Sequence, residues 1–135
     1  MWMFKRACLV LLLLSASACG SNSPTAPSTY DQTVNGSVDV FGTERHPLSI
    51  PRSGNMTLTL AWQDPAVDLD LYLVSTSCTA LYPKSACSIL QSSSTASGTS
   101  ERISRTVSSG ESFNLFVDNL NLARTQAYTI SINIQ

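Results

Sequence analysis

The chain has 135 residues, eight Lys and Arg against nine Asp and Glu, and only 13% of it is charged. That length allows one domain with a modest core. Beyond Lys5 and Arg6 the basic residues are few and scattered, so no phosphate-neutralising patch exists and nucleic acid is not an expected partner. With a single His, no G-x-S-x-G elbow and no phosphate-cradling Gly-rich loop, no residue set nominates a reaction.

The start reads Met1-Trp-Met-Phe-Lys5-Arg6 and continues into the apolar run Leu9–Leu14. Positive charge followed by a short apolar stretch has the form of a secretory signal. The stretch is too short for a spanning helix, which needs roughly 20 apolar residues. Leu14-Ser-Ala-Ser-Ala-Cys19, with small residues leading to a cysteine, resembles the lipobox of bacterial lipoproteins. The resemblance implies a signal peptide over 1–18 and a lipidated Cys19 as mature N-terminus. With Gly20 following, it also implies export to the outer membrane of a two-membrane cell. One acyl chain holds a membrane only marginally, whereas the several chains of a lipoprotein hold it firmly. Residues 19–30 then form a tether, because Gly20–Thr29 has two prolines and no large apolar side chain. In an exported chain that loses Cys8 and lipidates Cys19, Cys78 and Cys87 remain as an even pair and are expected to form a disulfide. Closing so short a loop contributes about 2–3 kcal/mol.

From residue 31 onward the hydropathy repeats every two residues, not every 3.6. Weak strands are expected over Val34–Phe41 and His46–Ile50. Asn55–Trp62 alternates Met56, Leu58, Leu60 and Trp62 against polar or small residues, which places Trp62 in the core. Asp68–Val74 alternates Leu69, Leu71 and Leu73 against Asp68, Asp70 and Tyr72. Weak strands follow at Cys87–Gln91 and Arg102–Val107, with the Ser/Thr-rich Gln91–Ser100 expected as a mobile loop or polar edge. Ser112–Asp118 aligns Phe113, Leu115 and Val117, and Ala127–Ile134 aligns Tyr128, Ile130, Ile132 and Ile134. Turn signals separate these runs at Asn35-Gly36, Arg52–Asn55, Asp64-Pro65 and Ser108–Gly110. Strict alternation means that each strand buries one face and wets the other. Two such sheets face to face give an all-β fold, an antiparallel β-sandwich of about eight strands over residues 31–135.

Four segments, in order, are similar to the bacterial pre-peptidase C-terminal domain. They are His46–Leu60 with its Pro and Gly before an alternating strand, Asp68-Leu-Asp-Leu-Tyr-Leu73, Val107–Val117, and Ala127-Tyr-Thr-Ile-Ser-Ile132. The resemblance covers about Gly36 to Gln135. It implies a jelly-roll-like β-sandwich without catalytic residues of its own, and some relatives bind calcium.

Asp64, Asp68, Asp70 and, at a distance in sequence, Asp118 are the candidate metal ligands, since calcium takes hard oxygen donors. Asp68 and Asp70 on one strand share a face about 7 Å apart, and the ordinary expectation for them is a solvated strand face. His46, without ligand-spaced partners, is expected on the surface. Tyr72 and Phe116, on the faces opposite the apolar stripes, and Leu81 and Tyr82, inside the disulfide loop, are the candidate binding residues. Aromatic rings on a rigid sandwich suit stacking on sugars or anchoring a protein. The competing expectation is that Tyr72 and Phe116 lie beneath a loop. The sequence therefore points to a non-enzymatic, membrane-anchored envelope lipoprotein that binds polysaccharide or protein and needs no cofactor. A ligand-free spacer and a calcium-dependent adhesion module are the alternatives.

Overall fold

A computed structural model describes residues 28–135. The expected signal peptide, Cys19 and nearly all of the expected tether lie outside the described residues. Eight strands follow in order: β1 (Tyr30–Val38), β2 (Thr43–Ser49), β3 (Gly54–Trp62), β4 (Leu69–Ser75), β5 (Ile89–Ser93), β6 (Ser100–Val107), β7 (Ser112–Asn119) and β8 (Gln126–Ile134). Among the described residues the helical content is a single 3-10 turn at Lys84–Ala86, and no helix is long and apolar enough to cross a membrane.

The strands form two four-stranded antiparallel sheets, ordered β1-β8-β3-β6 and β2-β7-β4-β5. Every connection except β4–β5 passes from one sheet to the other, which is jelly-roll winding. The expected fold class is the observed one. This winding sorts the loops. Those after β1, β3, β5 and β7 gather at one end of the sandwich. The loops after β2 and β6 lie at the other end, with Tyr30 and Gln135.

The core is the set of inward residues that the period of two picks out. Met56, Leu58 and Leu60 from β3 and Ile130, Ile132 and Ile134 from β8 meet Leu69, Leu71 and Leu73 from β4 and Leu115 and Val117 from β7. Trp62 is buried as expected, and its indole N–H donates to the Val67 carbonyl at 2.8 Å. Each fully buried side chain of this kind contributes about 1.5–3 kcal/mol.

The differences from the sequence expectation lie where pairing overrides composition. Tyr30, assigned to the tether, opens β1, because β8 offers ladder partners along its whole length and Tyr30 pairs with Ile134. The Ser-rich segment is partly strand, with β5 extending to Ser93. The larger correction concerns the wet face. Six outward residues of β4 and β7, namely Asp70, Tyr72, Val74, Asn114, Phe116 and Asp118, are buried. A third layer covers them.

Candidate binding surfaces

That layer is the β4–β5 connection. It leaves the sheet at Ser75 and folds back across the outer face, so that Tyr82 and Lys84 reach Asp118. Asp118 pairs with Asp70, five residues along β4 from Ser75, or roughly 17 Å. The Cys78–Cys87 disulfide closes this loop, with Cα atoms 5.2 Å apart. Leu81 and Cys78 pack on Tyr72, Val74 and Phe116 as a second apolar cluster. The buried Asn114 amide pins the loop by donating to the carbonyls of Thr76 at 3.3 Å and Cys78 at 2.9 Å. Tyr72, Leu81 and Phe116, expected as possible binding residues, are 6%, 1% and 2% exposed. Their apolar surface is spent on holding the loop, which fits the expectation of residues beneath a loop. Tyr82 alone of that set reaches solvent, at 51%.

At the rim of this cluster a polar network fastens the loop. The Tyr72 hydroxyl donates to Asp70 Oδ2 at 2.9 Å, and Lys84 Nζ donates to the Tyr72 hydroxyl oxygen at 2.6 Å. Lys84 Nζ also lies 3.4 Å from Asp118 Oδ2, which accepts the Tyr82 hydroxyl at 2.5 Å. The ammonium stands 4.4 Å from the centre of the Tyr72 ring and 5.2 Å from that of Tyr82, within cation–π range. Burial pushes the Asp70 carboxyl above the ordinary range; the Tyr72 hydrogen bond and Lys84 oppose that push, while Asp68 and Asp118 add to it. Burial and the neighbouring carboxylates push the Tyr72 and Tyr82 hydroxyls up, so both remain protonated donors at neutral pH.

The four aspartates do not gather at one point. Asp64 lies in the β3–β4 loop, where the Ala66 N–H and the Arg124 guanidinium hold its carboxyl below the ordinary range. Asp70 and Asp118 face each other across β4 and β7, but their Oδ2 atoms already hold tyrosine hydroxyls and Lys84. Among the described residues no three His, Cys, Asp or Glu side chains converge as a ligand set. Nor do Asp68 and Asp70 form a solvated strand face: Asp68 is half-buried and precedes β4, while Asp70 is 5% exposed and its neighbour Asp118 1%. His46 is half-buried, its Nε2 2.7 Å from the Tyr128 hydroxyl. Burial lowers its pKa, and Glu44 partly counters this. The Tyr128 hydroxyl fills the space a Cβ would need at residue 36, which accounts for Gly36.

A second surface lies at the loop end of the sandwich. Asp39–Gly42 form a turn, with the Gly42 N–H donating to the Asp39 carbonyl at 3.0 Å. Val40 and Phe41 at its centre are 43% and 66% exposed, and Leu120 and Leu122 of the β7–β8 loop are 44% and 72% exposed. The two loops are joined, because the Phe41 N–H donates to the Asn121 carbonyl at 3.2 Å and the Asn119 N–H to that of Gly42 at 2.9 Å. The fully buried Asn119 side chain braces both: its amide donates to the carbonyls of Asp39 at 3.1 Å and Arg124 at 2.8 Å, and its oxygen accepts the Asn121 N–H at 2.9 Å. Asn121 reaches the Ala66 carbonyl at 3.0 Å, and Arg124 binds Asp64. Phe41 has a φ of +50°, in the left-handed region. For a bulky residue this costs roughly 1–2 kcal/mol relative to glycine or asparagine. None of these four residues is among the candidates that the sequence offers. The available signal was two pairs of apolar residues inside turn segments, where polar residues are the rule.

The outer face of the other sheet carries an open depression of about 320 Å³, where the small Ala61 and Ala127 leave room between Asn35, Gln63 and Thr129.

No family model matches the chain, and no curated protein matches it. Solved structures do. A mitogen from Yersinia pseudotuberculosis superposes with a TM-score of 0.57 at 14% identity, over 80% of this chain and 88% of that one. The periplasmic inhibitor of g-type lysozyme from Aeromonas hydrophila gives 0.55 at 9% identity, over 82% and 91%. The pre-peptidase C-terminal domain of a Bacillus anthracis collagenase gives 0.55 at 14% identity, over 76% and 88%. At such identities the shared property is the fold.

Proposed function

We propose that the chain is an exported, non-enzymatic interaction module, held at the outer membrane through Cys19 and engaging a protein or polysaccharide of the cell envelope. The observation that carries this reading is the loop end, where exposed apolar side chains from two loops stand on a braced, hydrogen-bonded frame. Preformed loops of this kind keep the ordering cost of binding low. The disulfide fits an oxidising, exported setting. The fold neighbours include a lysozyme inhibitor, a protein that meets a partner, and a domain borne by a collagenase. The pre-peptidase resemblance read from the sequence agrees with the last of these.

The test is binding of the intact chain to two probes, isolated peptidoglycan sacculi by co-sedimentation and purified g-type lysozyme by surface plasmon resonance. Saturable binding to either, undiminished by a chelator, supports the module. Absence of saturable binding to both, with sacculi from several envelope types, favours the ligand-free spacer. Binding abolished by the chelator would instead support the calcium-dependent alternative.

A further inference from the structure

We infer that the loop-end tip formed by Val40, Phe41, Leu120 and Leu122 is a docking site for a protein partner that offers an apolar cleft with a basic rim. This inference rests on the binding-module reading and names its surface and partner class. Four of the six exposed large apolar side chains among the described residues stand together here. The turn sets Phe41 at a positive φ, where glycine or asparagine would be the relaxed choice. The fold therefore carries local strain to hold a phenyl ring out in water, and strain of this kind concentrates at binding sites. Asn119 fixes the frame, so little order remains to be imposed when a partner arrives.

Position and charge select the occupant. β1 has nine residues, about 30 Å of strand, and it separates the tip from Tyr30, where the chain enters from the N-terminal segment. In a domain anchored through that segment the tip is the end far from the point of attachment, free to meet a partner. The four loops at this end carry Asp39, Asp64 and Asp68 against the Arg124 guanidinium, and the β4–β5 segment adds Lys84, which is paired with the adjacent Asp118. An acidic rim repels anionic headgroups and complements basic side chains on a protein. An apolar centre inside a charged rim is the anatomy of a protein interface.

The experiment places a photo-crosslinking amino acid at Leu122 in the full chain, in cells that export it. Positions Tyr82 and Ser109 serve as comparisons, Ser109 lying in the β6–β7 loop at the opposite end. The expected result is a discrete protein adduct from Leu122 and none from Ser109. The identified protein, once purified, should bind the intact chain with a Kd raised about tenfold or more by Leu122→Ser and by Phe41→Gly. Phe41→Gly is not expected to lower the Tm, because glycine accepts the observed φ, so a loss of binding there is not a loss of fold. Three outcomes overturn the inference: no protein adduct at Leu122, a Kd that neither substitution moves, or tip-dependent binding to vesicles of phosphatidylethanolamine and phosphatidylglycerol. Capture at Tyr82 without capture at Leu122 sinks the tip and leaves the binding module standing. Capture at neither, with no binding to sacculi or lysozyme, sinks both.

Discussion

Replacing Leu81 by Ala tests whether the disulfide loop is a structural third layer or a surface excursion. Leu81 is 1% exposed and packs in the cluster of Tyr72, Val74, Cys78 and Phe116. The substitution removes three carbons, worth about 2.4 kcal/mol at roughly 0.8 kcal/mol each. The sheet beneath is rigid and cannot collapse into the space, so a cavity term adds to this, and the total should fall near 3 kcal/mol. For a domain of this size that corresponds to a Tm lower by roughly 10–20 °C. Urea unfolding followed by tryptophan fluorescence reads the change directly, since Trp62 lies in the main core and reports global unfolding rather than loop opening. A fall in midpoint with an unchanged m-value is the expected signature. The loop and the sandwich would then unfold as one cooperative unit. A double-mutant cycle with Phe116→Ala should show coupling, because the two side chains belong to one cluster. A cost below about 0.5 kcal/mol, the range of ordinary surface substitutions, would refute the reasoning. It would mean that the loop detaches at little cost and that the outer faces of β4 and β7 are open to solvent in solution.

Substituting Cys78 and Cys87 together by Ala should cost about 2–3 kcal/mol through loop-closure entropy, read by the same unfolding assay, and should make the 76–88 segment the first site of limited proteolysis. Glu101 is buried and accepts the Ser93 hydroxyl and the Thr95 N–H; Glu101→Ala leaves those donors unmatched and should lower stability by about 1–3 kcal/mol in calorimetry. His46 has its pKa lowered by burial, so the unfolded chain binds its proton first as pH falls. Its contribution is complete above the ordinary histidine pKa and is lost as pH drops through that value toward the folded one; a Tm decline between pH 7.5 and 5 that His46→Gln reduces is the expected result. Asp70 has the opposite sign, because its raised pKa makes the folded state hold the proton longer. Stability should fall as pH rises from the ordinary aspartate pKa through the folded value, and Asp70→Asn, which keeps an acceptor for Tyr72, should flatten that slope.

The period of two was enough to find the core. Leu58, Leu60, Leu71, Leu115, Ile130 and Ile132 alternate with polar residues in the sequence and face inward in the structure, because a strand has only two faces and water takes one. The same rule failed on the outward side of β4 and β7. Alternation records that Asp70, Tyr72, Phe116 and Asp118 share a face, but nothing local to those strands says that a segment of the chain returns to cover it. That decision belongs to the loop between Cys78 and Cys87, whose short closure is visible in sequence while the direction of its fold is not. Lys84 shows the consequence: in sequence it is a lone cation in a loop, and in the fold it stands between two tyrosine rings and a buried carboxylate.

Composition and the period of two along each strand were enough for the layer architecture, the inward stripes and the cysteine pair. Tertiary structure alone decided that three expected binding residues became a second core and that the aspartates did not assemble around a point. It alone brought Val40, Phe41, Leu120 and Leu122 into one exposed tip. The physical reason is the jelly-roll winding: it makes neighbours of loops some 80 residues apart, a non-local pairing that no window of sequence contains.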